Sequence, residues 1–335
     1  MISKYKKIST INARLVTDKP VRKTPYQVKG VIMKQLPNEE IVPMLNGSYR
    51  EKFLYPRVQV KILNEQIYIV GIGEGAKPIK EVLNKLRTLN FGNITFDISD
   101  IELEESKKKF TPSSKPVRYS FMTPWVALNH STGKKYSHLN NKDRVNYLNK
   151  LLGQNIVFIS RDLGIELEDN IFTKINLSTF VPKKLEENNW ASFDGEFETN
   201  FILPNYIGIG NGITRGYGTL NGLFNSNNKD LIETKENSTN DPLHEKTSAL
   251  SDFQEIDVKK IPTSNKRKKH RSKISKKILN EEFVLEDHDN NNSGKYKNSK
   301  RKKNKYRDET KAEQKKSSGE INYNSEEYHK KQHKF

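Results

Sequence analysis

Cysteine is absent from all 335 residues. That excludes disulfides and thiolate metal ligands, and it fits a reducing, cytoplasmic location. No apolar run approaches the ~18 residues that a membrane helix needs, so no membrane span is expected. The opening MISKYKKIST lacks the apolar stretch of a signal peptide. Histidine is scarce where it could matter. Of seven, His244, His270, His288, His329 and His333 lie far toward the C-terminus, and only His130 and His138 precede them. Histidines and carboxylates nowhere take the spacing of a metal-ligand set, so neither metal nor cofactor is expected. The two tryptophans, Trp125 and Trp190, each flank an apolar stretch and are expected in the core.

Positive charge is what the chain has in excess. Lys and Arg number 59 against 41 Asp and Glu, a net charge of +18. The excess is spread along the chain, since residues 1–220 hold 32 basic against 22 acidic side chains. Such a surface suits a polyanion, either nucleic acid or an anionic membrane surface.

The hydrophobic pattern of the first hundred residues alternates between two periods. Residues 9–16 read as a strand, and a helix starts at Pro25 with Val28, Ile32, Met33 and Leu36 at helical spacing. Residues 57–63 and 66–70 are β-like runs separated by Asn64-Glu65, a two-residue hairpin signal. A helix from Lys77 to Leu89 and a strand from Phe91 to Ile101 follow. The order β-α-β-β-α-β is the ferredoxin-like pattern, shared with the RNA-recognition module. Gly71-x-Gly73-x-x-Ala76, with Asp97 downstream, imitates a dinucleotide fingerprint. A hairpin rather than a lone strand precedes it, however, and no repeated β-α units follow.

The second half repeats the theme. Residues 117–125 read as a strand, 142–158 as a helix, and 172–181 and 191–203 as strands; a short last strand covers 217–220. Between these last two lies YIGIGNGITRGYGTL, with Gly208, Gly210, Gly212, Gly216 and Gly218 in eleven residues and Arg215 among them. Glycine lets backbone approach a ligand, and successive N–H groups can form an anion-binding concavity. The loop is therefore a candidate phosphate cradle or, failing that, a flexible surface hairpin. It lacks the Gly-Lys-Ser/Thr of a P-loop.

Several stretches resemble one family. Thr214-Arg215-Gly216-Tyr217-Gly218 is similar to the glycine-rich loop of the CRISPR-associated repeat-RNA-processing endoribonucleases, the Cas-six family. Tyr55-Pro56-Arg57-Val58-Gln59-Val60-Lys61 with Gly71-Ile72-Gly73-Glu74-Gly75, Phe121 through Asn129 (FMTPWVALN), and Phe193 through Phe201 (FDGEFETNF) resemble segments of its b subtype. The resemblance spans residues 10–220. It implies two tandem ferredoxin-like domains and a metal-independent RNA cleavage. There the 2′-OH attacks the adjacent phosphate, leaving a 2′,3′-cyclic phosphate and a 5′-OH. The subtype's His-Asn-His triplet corresponds here to Leu45-Asn46-Gly47, so both histidines are replaced. Tyr49, Arg50 and Lys52 beside that triplet, with His130, are the candidate replacements. Gly208, Gly210, Gly212, Thr214, Arg215, Gly216, Arg57 and Lys61 are the candidate RNA contacts. A catalytically inactive repeat-RNA binder of the same fold is the alternative.

The expected fold is thus α+β. An N-terminal ferredoxin-like domain covers 1–106, a linker 107–116 and a C-terminal ferredoxin-like domain 117–224. Residues 225–335, rich in Asn, Ser, Lys and Glu, form a disordered basic tail. CRISPR repeat RNA is the expected partner, with other CRISPR-associated proteins and a second copy of the chain as further candidates.

Overall fold

In the computed structural model, which describes residues 6–185, 190–223 and 252–262, the first domain opens with strand β1 (Thr10–Thr17) and helix α1 (Pro25–Gln35). Pro25 stands where its missing N–H costs nothing, and Thr24 caps the helix. Thr24 Oγ1 accepts from the Gln27 N–H at 3.3 Å, and Gln27 Oε1 accepts from the Thr24 N–H at 2.9 Å. This reciprocal capping box fixes the first turn. A one-turn helix α2 (Val42–Leu45) leads into an irregular segment. Strands β2 (Val58–Leu63) and β3 (Gln66–Ile72) then form the expected hairpin. Asn64 and Glu65 have φ of 49° and 58°, the two left-handed residues that a type I′ turn requires.

Helix α3 (Ala76–Leu83), β4 (Thr88–Asn90) and β5 (Thr95–Ser106) complete the domain. The helix stops six residues short of Leu89, because residues 88–90 pair with β5 as an edge strand instead. The sheet order is β2-β3-β1-β5-β4, with every pair antiparallel. Its first four strands have the ferredoxin-like arrangement. One face, with Ala13, Leu15, Val60 and Ile69, packs on Val28 and Ile32 of α1 and on Ile79 and Val82 of α3.

The second domain holds β6 (Thr111–Phe121), β7 (Trp125–Leu128), α4 (His130–Ser137), α5 (Asn141–Asp162), β8 (Ile171–Leu177) and β9 (Lys183–Lys184). It continues with β10 (Ala191–Phe193), β11 (Gly195–Ile202), β12 (Leu220–Gly222) and β13 (Gln254–Ile256). Its main sheet runs β12-β6-β11-β8-β13, and β7, β10 and β9 form a smaller one. The first four strands of the main sheet repeat the ferredoxin-like order. Helix α5 supplies the first crossover. Where a second crossover helix would join β11 to β12, the chain makes the glycine-rich loop instead.

Two expected boundaries move. Residues 107–116 are not a linker throughout, because β6 begins at Thr111. Pro112 is tolerated there because β12 covers only residues 119–121 on the other side of β6, leaving the start of the strand at an open edge. The tail is not structureless throughout either. Residues 254–256 pair with β8 as an added edge strand, and Ile256, Val258 and Ile261 are buried in the second core. Gly153 on α5 makes room for this strand, since a Cβ there would lie 2.4 Å from Ile256 Cγ1. Arg161 ties the segment down, donating to the carbonyls of Val258 and Ile261, both at 2.7 Å. The rest of the expected tail, 225–251 and 263–335, with its Lys/Arg-rich stretches at 266–277 and 295–307, lies outside the described residues.

Ile8, Tyr55, Val70 and Ile72 of the first domain join the core of the second. Among the described residues no helix is long and apolar enough to cross a membrane.

Candidate nucleic-acid interface

The glycine-rich loop is neither a surface hairpin nor an open backbone cradle. The N–H groups of Gly208, Ile209, Asn211 and Arg215 through Leu220 all donate within the protein. They are therefore not offered to a phosphate. Gly208, Gly210, Gly212 and Gly216, expected as RNA contacts, are buried. At the first three a neighbour leaves no room for a side chain, and at Gly216, where φ is +96°, the fit is close. Lys61 Nζ faces Gly208, the Trp125 indole faces Gly210, Tyr217 and Trp190 face Gly212, and Pro25 of α1 faces Gly216. Gly218 is the tightest: its φ is +63°, and a Cβ would sit 2.0 Å from the Ile209 carbonyl oxygen. Only a residue without Cβ takes that conformation at that distance.

The stretches that look separate in sequence meet at this loop. From the first domain, Tyr55 O–H donates to the Gly208 carbonyl at 2.8 Å, and Gln59 Oε1 accepts from the Gly208 N–H at 2.8 Å. Lys61 Nζ donates to the Ile213 carbonyl at 3.1 Å, and Lys29 Nζ of α1 to the Thr214 carbonyl at 3.0 Å. From the second, Thr123 Oγ1 donates to the Gly216 carbonyl at 2.8 Å and accepts from the Thr219 N–H at 2.9 Å. The Val126 carbonyl accepts from both the backbone and the side chain of Asn211. The Tyr-Pro strand and the Phe-x-Thr-Pro-Trp segment are thus the two jaws that hold the loop. Trp125 and Trp190 are fully buried, as expected.

Arg57 and Lys61 therefore do not stand where the sequence reading placed them. Both are buried. Arg57 Nη1 pairs with Asp162 at 2.7 Å and its Nε with Glu74 at 2.8 Å, while its Nη2 donates to the Asp162 carbonyl at 2.7 Å. Asp162 also accepts from the Leu54 and Tyr55 N–H groups. These bonds fix the start of β2 to the end of α5. Burial, reinforced by the nearby charge of Lys29, pushes the Lys61 amine down to about 7. The phenol of Tyr55 is pushed up by burial, so it stays a donor.

What the loop presents at its rim are Thr214, Arg215 and Tyr217, all partly exposed. They surround the single turn Ile213–Arg215, whose carbonyls the two lysines hold. The guanidinium of Arg215 lies 5.1 Å from the centre of the Trp190 ring, a cation–π contact that orients it.

The triplet position is divided. Leu45 is buried in the first core, whereas Asn46 is exposed and Gly47 has φ +83°. Tyr49 through Phe53 make one helical turn beyond it, with Lys52 and Phe53 N–H groups donating to the Tyr49 carbonyl. Tyr49, Arg50 and Lys52 are exposed on that turn, and the Lys52 ammonium lies 5.4 Å from the Tyr49 ring centre and 5.0 Å from that of Phe53. His130 is exposed at the first position of α4, on a different element. Sequence reasoning missed Lys29, Tyr55 and Gln59, whose partners lie some 150 to 185 residues away. Only the match of the Tyr-x-x-x-Gln-x-Lys pattern to a known segment marked the last two. Among the described residues no group of three or more His, Asp or Glu side chains could hold a metal ion.

Comparison with known proteins places this arrangement. The model of the Cas6b N-terminal domain matches residues 6–109, and that of the Cas6b C-terminal domain matches residues 111–223. A solved crystal structure of Cas6b is 30% identical with a TM-score of 0.54, covering 64% of this chain and 99% of that one. A structure described as the CRISPR RNA processing endoribonuclease Cas6b is 27% identical at a TM-score of 0.49, covering 65% and 100%. The uncharacterized protein MJ0978 of Methanocaldococcus jannaschii is 27% identical over 140 residues, which are 42% of this chain and 95% of that protein. With its two ferredoxin-like halves matched in order by the two halves of one family, over more than half its length, this chain belongs to the Cas6b family.

Proposed function

We propose that the protein binds CRISPR repeat RNA along the rim of the glycine-rich loop and cleaves it without a metal ion. The observation that carries this reading is the placing of Arg215, held over Trp190 on a turn whose carbonyls are fixed by Lys29 and Lys61. A guanidinium so oriented can make a two-pronged contact with a phosphate. Cas6b membership and the net charge of +18 support the same partner.

In the proposed reaction the ribose 2′-OH attacks its own phosphodiester. A base takes the 2′ proton, the P–O5′ bond breaks, and an acid delivers a proton to the leaving 5′ oxygen. Positive charge stabilises the phosphorane. Tyr49 and His130 are the candidates for proton transfer, and Arg50 and Lys52 for charge stabilisation. One observation favours a second reading, an inactive RNA binder: Leu45 is a buried core residue and Gly47 has no side chain where the family pattern has histidines. Binding is tested by the affinity of wild type and Arg215→Ala for the repeat RNA at two salt concentrations. The reading expects a steep salt dependence and a weaker Arg215→Ala with an unchanged melting temperature. Equal affinities would remove the loop from the interface.

A further inference from the structure

Tyr26 is a large aromatic side chain left 46% exposed at the start of α1, and nothing in the packing of the first domain accounts for it. Its surroundings tie it to the glycine-rich loop. Pro25, its neighbour, lies beside Gly216, the residue after Arg215, close enough that a Cβ added there would be 3.1 Å from Pro25 Cγ. The Lys29 ammonium lies 4.1 Å from the Tyr26 ring centre and at the same time donates to the Thr214 carbonyl. One cation therefore joins the ring to the loop turn, while nearly half of the residue stays open to solvent. The backbone beneath is fixed by the Thr24–Gln27 capping box and by Pro25, so little motion is lost when a ligand covers the ring.

An exposed aromatic on a fixed backbone, beside the arginine proposed to bind phosphate, suits a flat partner with an attached anion. We infer that Tyr26 is a stacking platform for one unpaired base of the bound RNA, and that it sets the register in which the repeat lies on the Arg215 rim. This rests on the RNA-binding reading above. The contact is made to the π-face, which every base has. It therefore fixes position along the strand rather than base identity.

The test measures the affinity of the repeat RNA for wild type, Tyr26→Phe, Tyr26→Trp and Tyr26→Ala. It is repeated with RNAs carrying one abasic nucleotide at each position in turn. Stacking on an aromatic is worth about 1–3 kcal/mol per base, so Tyr26→Ala should bind about 5- to 150-fold more weakly. Tyr26→Phe and Tyr26→Trp should stay near wild type. The slope of affinity against salt should not change, because no charge is removed. One abasic position should weaken wild type by a similar factor and have no effect in Tyr26→Ala. That coupling separates a stacked base from a loosened helix end. Tyr26→Ala binding as tightly as wild type would overturn the inference, as would equal losses in Tyr26→Ala at every abasic position. Failure of wild type to bind the repeat at all would instead remove the RNA-binding reading, and this inference with it.

Discussion

Lys61 and Ile213 stand 152 positions apart and are joined by a 3.1 Å hydrogen bond from a fully buried ammonium to a backbone carbonyl. The lysine reaches from the sheet of the first domain into the glycine-rich loop of the second. It carries a titration with it. Burial, with Lys29 adding to it, lowers this amine to about 7, while in the unfolded chain it keeps its proton to about 10.5. Below about pH 7 both states hold the proton, and the fold bears the full cost of a buried cation. Between about 7 and 10.5 the unfolded chain binds more protons than the native one, so stability rises with pH through that window. Wild type should therefore gain thermal stability relative to Lys61→Met between about pH 6 and pH 9. Melting curves taken across that range check it, and a constant difference between the two proteins would contradict it.

Gly218 and Gly92 separate two kinds of glycine. Both have positive φ, but a Cβ on Gly218 would meet the Ile209 carbonyl oxygen at 2.0 Å, whereas nothing lies within 4 Å of one on Gly92. Gly92→Ala should cost about 1 kcal/mol, the backbone strain alone. Gly218→Ala adds displacement of packed backbone and should cost about 3 kcal/mol or more. Urea unfolding of the two variants gives the comparison, and similar midpoints would show that the loop is looser than described.

The segment 252–262 belongs to the fold. A chain ending at Leu223 loses Ile256, Val258 and Ile261 from the second core and uncovers the outer edge of β8. Each such side chain contributes about 1.5–3 kcal/mol when fully buried. The shortened chain should therefore unfold at clearly lower urea, and Ile256→Ala alone should lose about 2 kcal/mol or more. An unchanged midpoint in the shortened chain would return these residues to the tail.

Much of this architecture was legible because local rules and tertiary structure agree. Asn64-Glu65 marked a two-residue turn, Pro25 a helix start, and the apolar flanks of Trp125 and Trp190 a core. The misreadings have a common cause. A lysine and an arginine in a β-strand suggest a basic face, and only three dimensions reveal that Lys61 meets a carbonyl and Arg57 meets Asp162 and Glu74. Five glycines suggest an open loop, yet here they let a loop be buried between two jaws. Strand β13 was hidden because its few apolar residues follow a long polar stretch and become meaningful only beside the slot at Gly153.

The most direct test of the account is cleavage of the repeat RNA with EDTA present, beside the same RNA carrying one 2′-deoxy nucleotide before the scissile bond. Loss of a proton-transfer group typically costs about 10²–10⁴-fold, so with both histidines replaced the reaction is expected to be slow and should be followed for hours. The account predicts cutting at one site in the all-ribose RNA, with 2′,3′-cyclic phosphate and 5′-OH ends. It predicts no cutting in the deoxy RNA, and loss of activity on Tyr49→Phe, Lys52→Ala or His130→Ala for whichever group carries the proton or the charge. Cutting that continues through the deoxy position, or tight binding with no cutting at all, would contradict it.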